Sequence, residues 1–147
     1  MKKFEYSMEN VLNIKYKLED QAKTNYSVIR FQLNKEEEAL YKLRIKKNHY
    51  EKRLQQLVSG SLDFKNIKIY KKSLDDVKNK ILEQKELIKT IEAELEIARI
   101  ELEKSMIERK TQENLKDKAF DEYKQEYNTW ESKEVDELNS FNYSNPI

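Results

Sequence analysis

The chain has 147 residues, of which 29 are Lys or Arg and 28 are Asp or Glu, so that 39% are charged while the formal net charge is only +1. One Gly, one His and no Cys exclude a glycine-rich phosphate loop, a cysteine-based zinc site, a thiol nucleophile and disulfides. No stretch approaches the ~20 apolar residues that cross a bilayer, and the amino terminus lacks the apolar region of a signal peptide. We therefore expect one cytosolic domain without catalytic residues, metal or cofactor.

The low apolar share, 37%, and the near absence of Gly and Pro favour long helices over a compact globule. The only glycine, Gly60, marks a turn between two helices. We expect the first helix to end at Val58, Gly60 to adopt a positive φ, and a serine such as Ser61 to cap the second helix. The only proline, Pro146, lies in an Asn/Ser-rich end that we expect to fray.

A 3,4 repeat of mostly apolar residues runs along both predicted helices and predicts a coiled-coil seam. In the first helix the repeat comprises Met8, Leu12, Lys15, Glu19, Ala22, Tyr26, Ile29, Leu33, Glu36, Leu40, Leu43, Lys47, Tyr50, Leu54 and Leu57. In the second it comprises Ile67, Tyr70, Leu74, Val77, Ile81, Gln84, Ile88, Ile91, Leu95, Ala98 and Leu102. The predicted fold is all-α, a long antiparallel two-helix coiled-coil hairpin with unequal helices, the second overhanging. Its predicted segments are a helix over about 4–58, a turn over about 59–62, a helix over about 63–140 and a tail over 141–147.

The predicted helices are roughly 80 and 120 Å long at the α-helical rise, and the turn near residue 60 determines which residues face each other. In an antiparallel pair the facing residue numbers sum to about 120, which pairs Tyr50 with Tyr70, Leu43 with Val77, and Leu33 with Ile88. Residues beyond about 117 then have no facing residue. After Leu102 the seam positions become polar, namely Ser105, Arg109, Gln112 and Lys116. We therefore expect the hairpin to be firm near the turn and loose near the termini.

Charge is concentrated in two segments. The basic segment, 42–72, has ten Lys or Arg against two acidic residues, and the acidic segment, 121–137, has seven acidic residues against two Lys. Both are compatible with ordinary solvated helix faces, with His49 a surface residue. Alternatively, the basic segment binds an acidic partner, or less readily a nucleic acid, because no aromatic groove or recognition fold accompanies it.

Apolar residues off the seam give a further signal. Phe120, Tyr123, Tyr127 and Trp130 follow at 3,4,3 spacing on the predicted overhang, with Leu138 and Phe141 beyond them. Such a stripe on a lone helix must be buried by a partner protein, by a second copy, or by the amino-terminal residues Phe4, Tyr6 and Met8. Other apolar residues fall at outward positions and are either core irregularities or a partner surface: Phe31, Tyr41, Ile45, Ile100 and Ile107.

Short segments along nearly the whole chain are similar to those of a known family. They are Phe4, Met8–Lys15, the turn at Gly60, Tyr70, Glu113–Lys116, Asp121–Tyr123 and Glu134–Glu137. On these residues, the position of the turn and the unequal helices, the chain resembles the FliJ family of flagellar type III export proteins.

The resemblance implies a non-enzymatic coiled coil similar to the central stalk of rotary ATP synthases. Members insert the end with both termini into the ring of the export ATPase FliI and promote its assembly and activity. They also contact the export gate protein FlhA and the export chaperones, with no cofactor and no nucleic acid. The location implied is cytoplasmic, at the inner face of the membrane through these partners.

The resemblance also implies two sets of site residues. The ATPase-binding set is Phe120, Tyr123, Tyr127 and Trp130, and the export-gate-binding set is Leu43, Tyr50, Tyr70 and Val77. The second set also lies on the predicted seam, so its members have a structural interpretation as well. Nearby, Lys46, Ser73 and Gln84 depart from the aromatic, apolar or His residues of other members. A generic coiled-coil adaptor or chaperone, unrelated to flagella, is the alternative function.

Overall fold

The structure, a computed structural model, describes residues 2–60 and 63–144. Helix α1 spans Glu9–Ser59, 51 residues, and helix α2 spans Phe64–Ser144, 81 residues. The described residues contain no β-strand. The two helices pack antiparallel as a hairpin with the longer helix second, which confirms the predicted fold class. Neither helix contains a stretch long and apolar enough to span a bilayer, within the described residues.

The boundaries of α1 differ from the prediction at both ends. The helix begins at Glu9 rather than near residue 4. At this start the backbone N–H of Glu9 donates to the carbonyl of Tyr6 at 3.1 Å. At the other end the N–H of Gly60 donates to the carbonyl of Gln56 at 3.1 Å, which is the α-helical i to i−4 pattern. No described glycine has a positive φ, so the prediction for Gly60 was wrong. The helical hydrogen bonding simply continues to this residue.

Helix α2 begins with an aspartate cap. One carboxylate oxygen of Asp63 accepts from the backbone N–H groups of Lys65 and Asn66, at 3.2 and 3.3 Å, and the other accepts from the Asn66 side chain at 2.9 Å. These bonds satisfy donors that the first turn leaves free. Asp63 therefore supplies the cap expected from a serine. Ser61, half of the predicted turn and tail residues 145–147 lie outside the described residues, and α2 extends past 140 to Ser144.

The chain forms two compact units, and each helix contributes to both. The turn unit is Ala22–Leu102, and the terminal unit is Met1–Gln21 with Glu103–Ile147. In the turn unit Leu33, Ile88 and Ile91 form a buried cluster, which confirms the pairing of Leu33 with Ile88. The other buried apolar residues of this unit are Leu74, Val77, Ile81 and Ala98.

The register of the turn unit follows the 3,4 repeat. Every seam position predicted within this unit is at least partly buried. The rings of Tyr50 and Tyr70 lie 6.1 Å apart, as the pairing predicts. Gln84 donates to the Glu36 carbonyl at 2.9 Å and to its carboxylate at 2.6 Å, so these two polar residues satisfy each other within the seam.

Candidate partner-binding surfaces

In the terminal unit the predicted seam residue Leu12 is buried, and charged side chains also join α1 to α2; we call these charged contacts the polar seam. Glu19 is only 4% exposed and pairs with Arg109 at 2.5 Å, while Arg109 also pairs with Glu113 at 3.0 Å. Two further ion pairs between the helices join Lys15 to Glu108 at 3.1 Å and Lys116 to Glu9 at 2.9 Å. The loss of apolar residues after Leu102 therefore does not end the seam. The predicted looseness near the termini remains a prediction.

The protonation of the polar seam is biased by its hydrogen bonds. The Tyr16 hydroxyl donates to the Glu113 carboxylate and, together with Arg109, holds the pKa of Glu113 below its ordinary value. The same bond raises the pKa of Tyr16, and burial adds to this. Glu19, followed by Glu113, raises the pKa of Arg109 above its already high ordinary value. All three groups therefore keep the protonation states that hold the two helices together at neutral pH.

We expect Glu19→Ala to lower the free energy of unfolding by about 2 kcal/mol, as loss of a buried hydrogen bond to a charged group does. The change removes a carboxylate that is almost fully buried and leaves Arg109 with Glu113 alone. Urea denaturation followed by circular dichroism measures this loss. Glu96→Ala is the matched control, because its pair with Arg99 is exposed and lies within one helix, so its effect should be too small to resolve. Equal effects of the two changes would contradict a structural role for the polar seam.

The bond between Tyr16 and Glu113 predicts a pH-dependent stability. A carboxyl whose pKa is lower in the folded state stabilises the fold above its ordinary value of 4.5, and the contribution is lost as pH falls through the lowered pKa. A tyrosine whose pKa is raised contributes below its ordinary value of 10.0, and this is lost as pH rises through the raised pKa. The melting temperature of wild type should therefore be higher than that of Tyr16→Phe at neutral pH. The two melting temperatures should become equal in acid and in strong base. A difference independent of pH would contradict the prediction.

The aromatic stripe of α2 consists of Phe120, Tyr123, Tyr127 and Trp130. Ring centroids of successive members lie 6.4, 6.3 and 5.8 Å apart, so the four rings form one continuous row. The predicted 3,4,3 spacing therefore produces a shared face. Lys124 lies over the ring of Phe120, with its Nζ 5.3 Å from the centroid.

The amino-terminal segment, residues 2–8, contacts the first half of the aromatic stripe and buries it only in part, since Phe120 is still 41% exposed. The ring of Phe4 lies 5.1 Å from that of Phe120 and 5.4 Å from that of Tyr123. The Tyr123 hydroxyl donates to the backbone carbonyl of Lys2 at 2.7 Å. The expectation that the whole stripe lacks a partner within the chain was therefore wrong. The alternative, in which the amino terminus folds over the stripe, is confirmed for Phe4. The Tyr6 hydroxyl donates to Gln112 at 3.4 Å, and Met8 is exposed.

The second half of the aromatic stripe stays open. All side chains described from Lys124 to Tyr143 are exposed, including the large ring of Trp130 at 41%. We use the term open face for Tyr127, Trp130, Leu138 and Phe141, which recur at helical spacing along this part of α2. The open face is therefore the exposed apolar surface at this end of α2.

The proposed gate-binding residues lie at the seam of the turn unit. Val77 is buried, whereas Leu43, Tyr50 and Tyr70 are partly buried. Val77 therefore acts through packing, and a partner can reach only the exposed edges of the other three. Gln84, one of the departures, is hydrogen-bonded to Glu36.

The outward side of α1 in the turn unit carries a second exposed apolar surface. Phe31, Tyr41 and Ile45 are exposed, as their outward positions predict, and so are Ile100 and Ile107 on α2. A shallow groove beside this surface is lined by Ala39, Lys42, Leu43, Ile45, Lys46 and His49. Reasoning from the repeat found Ile45 and Leu43, but it missed Ala39 and Lys42. The departure at Lys46 lies in this groove, so the surface is more cationic than the resemblance implies.

No group of three or more His, Asp or Glu residues in the described parts of the chain could hold a metal ion. A comparison with curated proteins found no match. Among solved structures, a putative YscO homolog from Chlamydia trachomatis is similar, with a TM-score of 0.72 and 26% sequence identity over 97% of this chain and 96% of that one. The profile of the family described as Flagellar FliJ protein matches residues 4–146. Since this match spans nearly the whole sequence and agrees with the hairpin, the chain belongs to the FliJ family.

Proposed function

We propose that this protein is a non-enzymatic coupling component of flagellar type III protein export, which binds the ring of the export ATPase FliI as a central stalk and promotes its assembly and activity. Family membership indicates a component of flagellar or type III export. The observation that carries the finer proposal is the open face, an apolar surface on a helix end that packs against no other described segment. A long helix with such an end has the form required to enter a ring.

The aromatic stripe divides its roles between folding and binding. Phe120 and Tyr123 contact Phe4 and therefore fix the amino-terminal segment on α2. Tyr127 and Trp130 have exposed rings and, among the aromatic residues that the structure describes, touch only each other and Tyr123. Aromatic anchors of this kind dominate the energetics of protein interfaces. In the proposal, Tyr127 and Trp130 contact the ATPase directly, while Phe120 and Tyr123 support them.

We also propose that the turn unit contacts the export gate protein FlhA. The exposed edges of Leu43, Tyr50 and Tyr70 lie within or next to the basic segment, and Leu43 borders the groove on α1. An acidic partner surface would complement the net charge of +8 over residues 42–72. Binding of export chaperones and a position at the inner face of the membrane, through these partners, complete the proposal on the basis of family membership.

The experiment that tests this function is ATP hydrolysis by the purified export ATPase of the same organism, titrated with this protein. Wild type should stimulate hydrolysis in a saturable manner. A variant that ends after Glu126 should not, although it keeps the polar seam and the contacts of Phe4. Stimulation by both proteins would remove the overhang from the mechanism, and stimulation by neither would refute the stalk function.

A further inference from the structure

We propose that the open face binds a positively charged groove of its partner, in which arginine side chains stack on Tyr127 and Trp130 and pair with the surrounding carboxylates. The inference rests on the proposed function and adds the chemistry of the surface that receives the overhang. The observation that supports this inference is the placement of carboxylates around the open face.

The helical repeat places four glutamates at the open face. With 3.6 residues per turn, Glu134 lies on the same side of α2 as Trp130 and Leu138. Glu126 and Glu137 follow one border of the open face, and Glu131 follows the other. Glu126, Trp130 and Lys133 line one shallow surface groove, which places a carboxylate next to the exposed indole with one ammonium group in the same groove. The aromatic rings are therefore framed by negative charge.

These carboxylates form no ion pair within the described residues. None of the ion pairs or hydrogen bonds of the structure involves Glu126, Glu131, Glu134 or Glu137, and all four side chains are exposed. The acidic segment contains two lysines against seven acidic residues: Lys124 lies over the ring of Phe120, and Lys133 lines the groove of Glu126 and Trp130. Because acidic residues outnumber lysines here, the exposed aromatic rings lie in a surface of net negative charge.

A guanidinium group satisfies both features of this surface at once. It stacks on the faces of Tyr and Trp rings and forms bidentate pairs with carboxylates. An anionic lipid surface would be repelled by the acidic segment. A second copy that presents the same face would oppose carboxylates to carboxylates in a two-fold interface. A cationic protein groove therefore fits the open face better than either of these occupants.

The test compares two double charge reversals that change the net charge equally. Glu131→Lys with Glu134→Lys reverses the charge at the open face. Asp121→Lys with Asp136→Lys reverses it on other sides of the same helix, also at exposed positions. Binding to the export ATPase is measured at low and high salt, and circular dichroism checks that helix content is unchanged. We expect the first variant to bind about tenfold or more weakly at low salt and the second less than about threefold, since each exposed charge pair contributes modestly.

Equal losses in both variants would show a diffuse charge effect and overturn the inference. Unchanged affinity of the open-face variant would overturn it as well, while leaving the stalk function intact. Wild-type protein that fails to bind the ATPase would refute the proposed function and the inference with it. Sedimentation of wild type alone is the second measurement. Salt-sensitive self-association that the open-face reversal abolishes would identify the basic segment of a second copy as the occupant and would also overturn the inference.

Discussion

Changing Ile91 to Asn is expected to lower the free energy of unfolding by about 3 to 4 kcal/mol. Ile91 is 2% exposed and packs in the cluster with Leu33 and Ile88. Removal of a buried aliphatic side chain costs about 2 to 5 kcal/mol when the site cannot collapse, and an unsatisfied buried amide is a further penalty. The cluster has few alternative contacts because only one helix lies on each side of the seam. Urea denaturation followed by circular dichroism measures the change.

Ile97→Asn is the matched control for this prediction. Ile97 lies on the same helix in the same unit, but its side chain is 60% exposed. The same substitution should change the free energy of unfolding by less than about 0.5 kcal/mol, as most surface changes do. If both variants melted alike, the register that places Ile91 in the seam would be incorrect.

Changing Trp130 to Ala is expected to weaken binding of the export ATPase by about 2 to 4 kcal/mol, the range for a buried aromatic anchor at an interface. The Trp130 ring contacts only the ring of Tyr127 among the aromatic residues, at 5.8 Å. Thermal stability should therefore stay close to that of wild type. Isothermal titration calorimetry with the purified ATPase measures the affinity. Tyr123→Ala would be less informative, because Tyr123 also holds the amino-terminal segment.

Phe31→Ala provides the control for Trp130→Ala. Phe31 is also an exposed aromatic residue, at 73% against 41% for Trp130, but it lies on α1 in the turn unit. It should leave ATPase affinity unchanged if the contact is made by the open face. Loss of affinity with Phe31→Ala and not with Trp130→Ala would move the ATPase contact to the turn unit and contradict the proposed function.

The candidate surfaces were predictable from the sequence to different degrees. The row of rings from Phe120 to Trp130 followed from spacing, because residues three and four apart share one side of any helix. The contact of Phe4 with the first half of that row was only one of several alternatives at the level of sequence. Residues 2–8 form no periodic pattern from which their conformation could be predicted. The assignment of gate contacts to Leu43, Tyr50, Tyr70 and Val77 stays a proposal. Val77 is buried, so little of its side chain is accessible to a partner.

The sequence by itself determined the helices, the seam and the register of the turn unit. A sustained 3,4 repeat leaves one antiparallel pairing that buries the apolar residues of both helices, and the contacts of Leu33 with Ile88 and of Tyr50 with Tyr70 follow from it. Only the tertiary structure decided how the terminal unit is joined. There, Glu19 meets Arg109 and Phe4 meets Phe120, contacts between residues far apart in the chain. Charged and aromatic side chains of this kind can reach several partners at similar cost, so three-dimensional packing selects among them and periodicity does not.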